Sequence, residues 1–296
     1  MRSPGNEGGG SGKRVIIVVI ICAVLIGAAV FNLIRSLWAY EEGNIEYSKV
    51  NEKFVSVIEA PVTKTVTAEE GEEEEEEVSP WTEDQSIPNL SVDHDALKAE
   101  NPDYFCWLYV PSTGISYPVT KGENNEYYLH HTFEKQSNIN GCIYIDTLAW
   151  DDMDDYNTFV FGHNMRNGSM FGSLKQLLNE PEKALNDPYF YLMMKDKVMK
   201  YHIYSIHVTP PTSDTFHNPA TEKEYLDYID MVKGESIVDM GVDVSKEDRT
   251  VSLSTCSGTG AGKKRLALHG KLVGIIKTDG TETVSYNSVR ALSDDI

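Results

Sequence analysis

Residues 250–277 read TVSLSTCSGTGAGKKRLALHGKLVGIIK. Two runs rich in β-branched and aliphatic residues, 250–256 and 265–277, flank a loop of small and basic residues, which is the pattern of two strands with a connection between them. If 251–256 and 265–273 pair as a hairpin, Cys256 ends the first strand and Arg265 stands close to it on the second. A thiol at a strand end can face solvent while its backbone is held by a sheet, and a neighbouring fixed cation favours the thiolate or an oxyanion.

Working outward, the same strand grammar recurs in FCWLYV (105–110), ISYPVT (115–120), CIYIDT (142–147), TFVFGH (158–163) and VMKYHIYSIHV (198–208). These runs are bounded by Gly, Asn, Asp or Pro. Helical spacing is confined to fewer stretches: a short segment ahead of Asn101-Pro102, then 169–180, and 221–233, where Tyr225, Tyr228, Ile229 and Val232 fall on one face. Seven or more strands with interspersed helices predict a mainly β fold with added helices, a β-barrel with decorations.

A thiol nucleophile needs a proton acceptor and a group that stabilises negative charge on the carbonyl oxygen it attacks. His163 ends the strand run 158–163, in the same strand-end context as Cys256, and Arg265 supplies the charge. The remaining histidines are weaker candidates. His130, His131 and His217 lie in loop-like text, His202 and His207 fall on a strand, and His269 shares the strand face of Arg265. Cys22, Cys106 and Cys142 sit in apolar runs, where cysteine behaves as a small hydrophobe. The sequence contains no CxxC pair and no HExxH, so neither a metal site nor a cofactor is expected. Asp151, Asp152, Asp154 and Asp155 lack EF-hand spacing and read as a polar connection.

The domain plan has five parts. Residues 1–14 form a Gly/Ser-rich cytoplasmic tail. Residues 15–37 read as a transmembrane signal anchor, with Lys13 and Arg14 ahead of the uncharged run 15–31 and Trp38 and Tyr40 placed for the outer interface; a cleaved signal peptide is the competing reading, against which stand the length of the run and the lack of a small-x-small site after it. Residues 38–88 form an extracytoplasmic stalk with some helical character over 41–60, followed by an acidic spacer that includes the unbroken run Glu72–Glu77. The catalytic domain occupies 89–278, and 279–296 are a C-terminal tail. The formal charge of -20 argues against nucleic-acid partners.

TFVFGHNM (158–165) followed by RNGSMFGSL (166–174), together with LSTC (253–256) and an arginine nine residues later in RLALHGKL (265–272), resembles the sortase family, class B. The segment NPDYFCWLYVPSTGISYPVTKGENNEYYLHHTF (101–133) is similar to that family's first strands, and the likeness covers roughly residues 95–275. The resemblance implies an eight-stranded sortase-type barrel with an active-site groove at its rim. It implies that Cys256 attacks the Thr carbonyl of a C-terminal sorting motif on a secreted protein. An amine of a peptidoglycan precursor, or a pilin Lys, then resolves the thioester. His163 serves as acid and base, and Arg265 holds the carbonyl oxygen. By the same pattern, Asn125, Leu129, Ser254, Thr255, Thr221, Tyr225 and Leu226 are substrate-groove candidates, Tyr225 and Leu226 fitting ordinary helix packing as well. The text departs from the pattern at Asn124, where relatives have an acid, and at Ser257, where some do. A plain thiol endopeptidase and a catalytically inactive tethered binding domain are the alternative readings.

Overall fold

The computed structural model describes residues 9–57, 86–256 and 264–278. The expected acidic spacer, the loop position Ser257 and the C-terminal tail lie outside the described residues, as does most of the N-terminal tail. In chain order the elements are α1 (Gly9–Phe54), β1 (Val55–Val57), β2 (Leu90–Val92), α2 (His94–Glu100), β3 (Tyr104–Val110), β4 (Ile115–Thr120), α3 (Tyr127–His130) and β5 (Ile143–Ile145). There follow β6 (Asn157–His163), α4 (Gln176–Asn179), α5 (Glu182–Asn186), β7 (Tyr189–Met193), β8 (Lys197–Thr209), α6 (Glu222–Gly234), β9 (Thr250–Cys256) and β10 (Arg265–Lys277).

Eight strands close into a barrel in the order β10-β8-β7-β3-β4-β5-β6-β9, which is the expected fold class. Neighbours are antiparallel except for β4 with β5 and β6 with β9, which run parallel. Closure leaves none of the eight without a partner on either side, so the barrel itself has no open edge. The interior is filled by large side chains at alternate strand positions: Leu108, Phe190 and Tyr201 are buried on one face of β3, β7 and β8, while Trp107, buried on the other face of β3, donates from Nε1 to Ser116 Oγ at 3.1 Å across the β3–β4 pair. The hairpin read from 250–277 forms, with Ser254 opposite Ala267 and Thr250 opposite Lys271.

Helix α6 lies on the outside of the barrel. Its N-terminus is capped by Thr221, whose hydroxyl accepts from Glu224 N at 3.2 Å, and Tyr225, Tyr228, Ile229 and Val232 form the face it buries. The Tyr228 hydroxyl reaches Ser252 Oγ on β9 at 3.1 Å, fastening the helix to the barrel wall. Beneath it sits a buried polar cluster from β6, β8, β9 and β10. His207 and His269 stack at 5.0 Å, and Ser252 lies 2.7 Å from both Asn157 Oδ1 and His269 Nδ1. The stretch 169–180 is less regular than expected: a 3-10 turn at Phe171–Lys175 leads into the single α-turn of α4.

Helix α1 is one continuous element of 46 residues. Its first part is long and apolar enough to cross a membrane, and side chains such as Leu25 and Phe31 pack against nothing in the barrel. Its second part, within the expected stalk, packs on the barrel. Tyr47, Val50 and Phe54 are buried in the barrel's hydrophobic cluster, and β1 pairs antiparallel with β2. The spacing 47, 50, 54 gives α1 an apolar stripe that the barrel covers.

Candidate active site

The parallel pairing of β6 and β9 runs from Asn157 opposite Thr250 to His163 opposite Cys256. Two strands far apart in sequence thus end level with one another, one on the histidine and the other on the cysteine. Strand β10 pairs with β9 on its other side as far as Ala267 opposite Ser254, and it opens at Arg265, two residues beyond that last pair. Beyond that pair the Thr255 hydroxyl links the two strands, accepting from Leu266 N at 2.9 Å. The ends of three adjacent strands therefore bring together the three residues picked out from sequence.

His163 is half-buried, and its Nε2 lies 2.6 Å from the Leu129 carbonyl. A carbonyl oxygen only accepts, so Nε2 carries the proton and Nδ1 is left to receive or deliver another. Burial lowers the pKa of His163 below its ordinary value, opposed by the bond to Leu129 and reinforced by His130 nearby. Burial thus favours the neutral ring, and its conjugate acid is a readier proton donor than free imidazolium. Gly141, at φ +55°, fits against this ring: a Cβ there would meet His163 Cδ2 at 3.0 Å and the Tyr128 carbonyl at 2.5 Å. Positive φ and close approach together require glycine.

Arg265 is half-buried with its Cζ 5.0 Å above the ring of Phe216. Among the described residues it makes no ion pair and its Nε has no hydrogen-bond partner. A carboxylate would neutralise the guanidinium, whereas an aromatic face holds it and leaves its charge and in-plane donors available. Phe216 was not singled out by sequence reasoning; the signal in hindsight is an aromatic residue in the loop text that leads into the 221–233 helix.

The groove candidates divide. The Leu129 backbone carbonyl, rather than its side chain, touches His163. Asn125 has both ends of its amide engaged, donating to Asp146 Oδ1 and accepting from Thr147 N, each at 3.0 Å. Ser254 and Thr255 are buried in the barrel wall. Thr221 caps α6, Tyr225 is buried and stacked on Tyr156 at 4.8 Å, and Leu226 is exposed on the helix surface. Cys106 and Cys142 are buried, and burial raises both thiols, Cys142 to about 12. Asp151, Asp154 and Asp155 bind Lys121, Arg249 and the Trp150 amide. Among the described residues no three His, Cys, Asp or Glu side chains converge to hold a metal ion.

A sortase domain family model matches residues 108–273. The chain is 32% identical over 182 residues to sortase B of Listeria monocytogenes, covering 60% of this chain and 72% of that protein. It is 26% identical to sortase B of Staphylococcus aureus, covering 60% and 74%. The crystal structure of Clostridium perfringens sortase B superposes with a TM-score of 0.56 at 30% identity, covering 60% of this chain and 98% of that one.

Proposed function

The chain belongs to the sortase family, class B, and we propose on that premise that it is a membrane-anchored cysteine transpeptidase in which Cys256 is the nucleophile, His163 the acid/base and Arg265 the stabiliser of the oxyanion. The observation that carries this reading is the level ending of β6 and β9 on His163 and Cys256, with Arg265 opening the strand beside them.

Neutral His163 takes the Cys256 proton at Nδ1, and the thiolate attacks the Thr carbonyl carbon of a C-terminal sorting motif. The oxyanion develops beside the Arg265 guanidinium. As the tetrahedral intermediate collapses, the C–N bond breaks and His163 returns the proton to the departing amine, leaving a thioester on Cys256. An acceptor amine then enters, from a peptidoglycan precursor or a pilin Lys. It loses a proton to Nδ1 and attacks the thioester, and an amide forms as the thiolate leaves and is reprotonated. The Leu129 carbonyl holds Nε2–H throughout, so one nitrogen serves both half-reactions.

In this account α1 anchors the chain with its N-terminus in the cytoplasm and the barrel outside. Asn125, Leu129, Ser254, Thr255, Thr221, Tyr225 and Leu226 are proposed to shape the groove, Asn125 and Thr221 by fixing backbone and the exposed Leu226 by direct contact. The test is transfer of sorting-motif library peptides to an added amine by the full chain. Cys256→Ala, His163→Ala and Arg265→Ala should each lose amide product, and retained transfer by Cys256→Ala would sink the proposal.

A further inference from the structure

The loop that holds His163 is itself held by the anchor helix. Tyr47 of α1 donates its hydroxyl to the Gly141 carbonyl at 2.5 Å and accepts from Phe133 N at 3.3 Å. On the turns of α1 before it, Glu46 Oε1 accepts from Glu134 N at 3.0 Å and the Ala39 carbonyl accepts from Asn138 Nδ2 at 2.9 Å. Gly43 lies so close to the Asn140 amide that a Cβ at that position would collide with it. The post-membrane turns of α1 are thus fitted along the whole segment 133–141.

That segment is in turn knotted to α3. Cys142 N donates to the Tyr128 carbonyl at 2.8 Å and Asn138 N to the His130 carbonyl at 2.9 Å. The two bonds bracket Leu129, whose carbonyl takes the Nε2–H of His163, while Gly141 abuts the imidazole ring. The Tyr47 hydroxyl therefore bonds Gly141, which abuts the ring, and is linked through Cys142 and Tyr128 to Leu129, which holds its Nε2–H. Tyr47 is buried, so removing its oxygen leaves the Gly141 carbonyl and the Phe133 N–H without partners in a dry place, and the loop must move to satisfy them.

We infer that Tyr47 is a positioning residue for the transfer reaction: the anchor helix, through Tyr47 and the 133–141 loop, fixes the tautomer and orientation of His163, so the membrane-proximal part of α1 belongs to the active-site scaffold. This rests on the acid/base role of His163 proposed above. A bond to Leu129 selects Nε2–H and leaves Nδ1 facing the reaction; loosening the loop mixes the tautomers and lets the ring swing.

The experiment uses the full chain in detergent micelles with ¹⁵N-labelled histidine, the His163 signal being assigned with His163→Gln. The wild type should show widely separated nitrogen resonances for a single Nε2–H tautomer. Tyr47→Phe should show averaged ones, with kcat for peptide transfer to an amine down roughly tenfold and KM within about twofold. Asn51→Ala is the control: Asn51 lies one turn on from Tyr47 and bonds Ser116 on β4 rather than the loop, so it should leave both readouts unchanged. If Tyr47→Phe does not fold, Asn138→Ala, which releases the same loop from Ala39, carries the same expectation. A wild-type tautomer signature in the loop variant, or an equal change in Asn51→Ala, overturns the inference. Absence of any amine-dependent product in the wild type would refute the proposed function instead, while the nitrogen spectra still decide the role of Tyr47.

Discussion

Acid should destabilise the barrel where α6 covers it, through His207 more than any surface group. His207 and His269 are buried at 1% and 0% exposure. Burial lowers His207 to about 4, and burial with His207 beside it puts His269 well below the ordinary value. Both are neutral when folded, while an unfolded imidazole titrates near ~6.5. The unfolded state therefore binds more protons as pH falls, and stability is lost from about pH 6.5 downward, levelling off for His207 near the folded value of about 4. For His207 alone the loss is about 2 kcal/mol at pH 5 and about 3 kcal/mol at pH 4, with His269 acting in the same direction. The assay is urea unfolding of the full chain at pH 7 and pH 5, for wild type and His207→Gln, in which the titrating group is gone but a polar side chain remains for Thr215 and Glu235. The variant should lose about 2 kcal/mol less than the wild type over that interval. Equal losses would refute the claim that the buried imidazole carries the pH dependence.

Thiol reactivity should separate the cysteines: near neutral pH Cys256 should react with iodoacetamide well before Cys106 and Cys142, which burial holds protonated, as mapped by peptide mass spectrometry. Phe216→Leu should lower kcat/KM about fivefold, the equivalent of ~1 kcal/mol of cation–π contact with Arg265, and Phe216→Tyr should restore it. Thr221→Ala should cost about 1 kcal/mol in thermal unfolding by uncapping α6, and Thr221→Ser should cost a fraction of that.

The sequence discloses what is local and what sits at strand ends. The hairpin 250–277 and the contexts of Cys256, His163 and Arg265 follow from strand runs that stop at loops, and the 221–233 helix follows from its spacing. The parallel pairing of β6 with β9 is not legible, because it joins residues about ninety positions apart and leaves no mark in either run. The stacking of His207 on His269 is hidden for the same reason: it depends on the β8–β10 register that sets Ala267 opposite His207. The docking of α1 was within reach, since Tyr47, Val50 and Phe54 keep a helical stripe beyond the apolar span. The role of Leu129 was hidden for another reason: it acts through a backbone carbonyl that any residue carries.

The most direct measurement is capture of the acyl intermediate. The full chain is incubated with a sorting-motif peptide library without amine, quenched in acid and digested with trypsin, and the fragment spanning residues 250–263, which contains Cys256 and no other cysteine, is weighed. The account predicts a hydroxylamine-sensitive mass addition on that fragment, equal to a library peptide cleaved after Thr, which disappears into an amide product when an amine is supplied. An unmodified fragment during turnover, or undiminished product from Cys256→Ala, would contradict it.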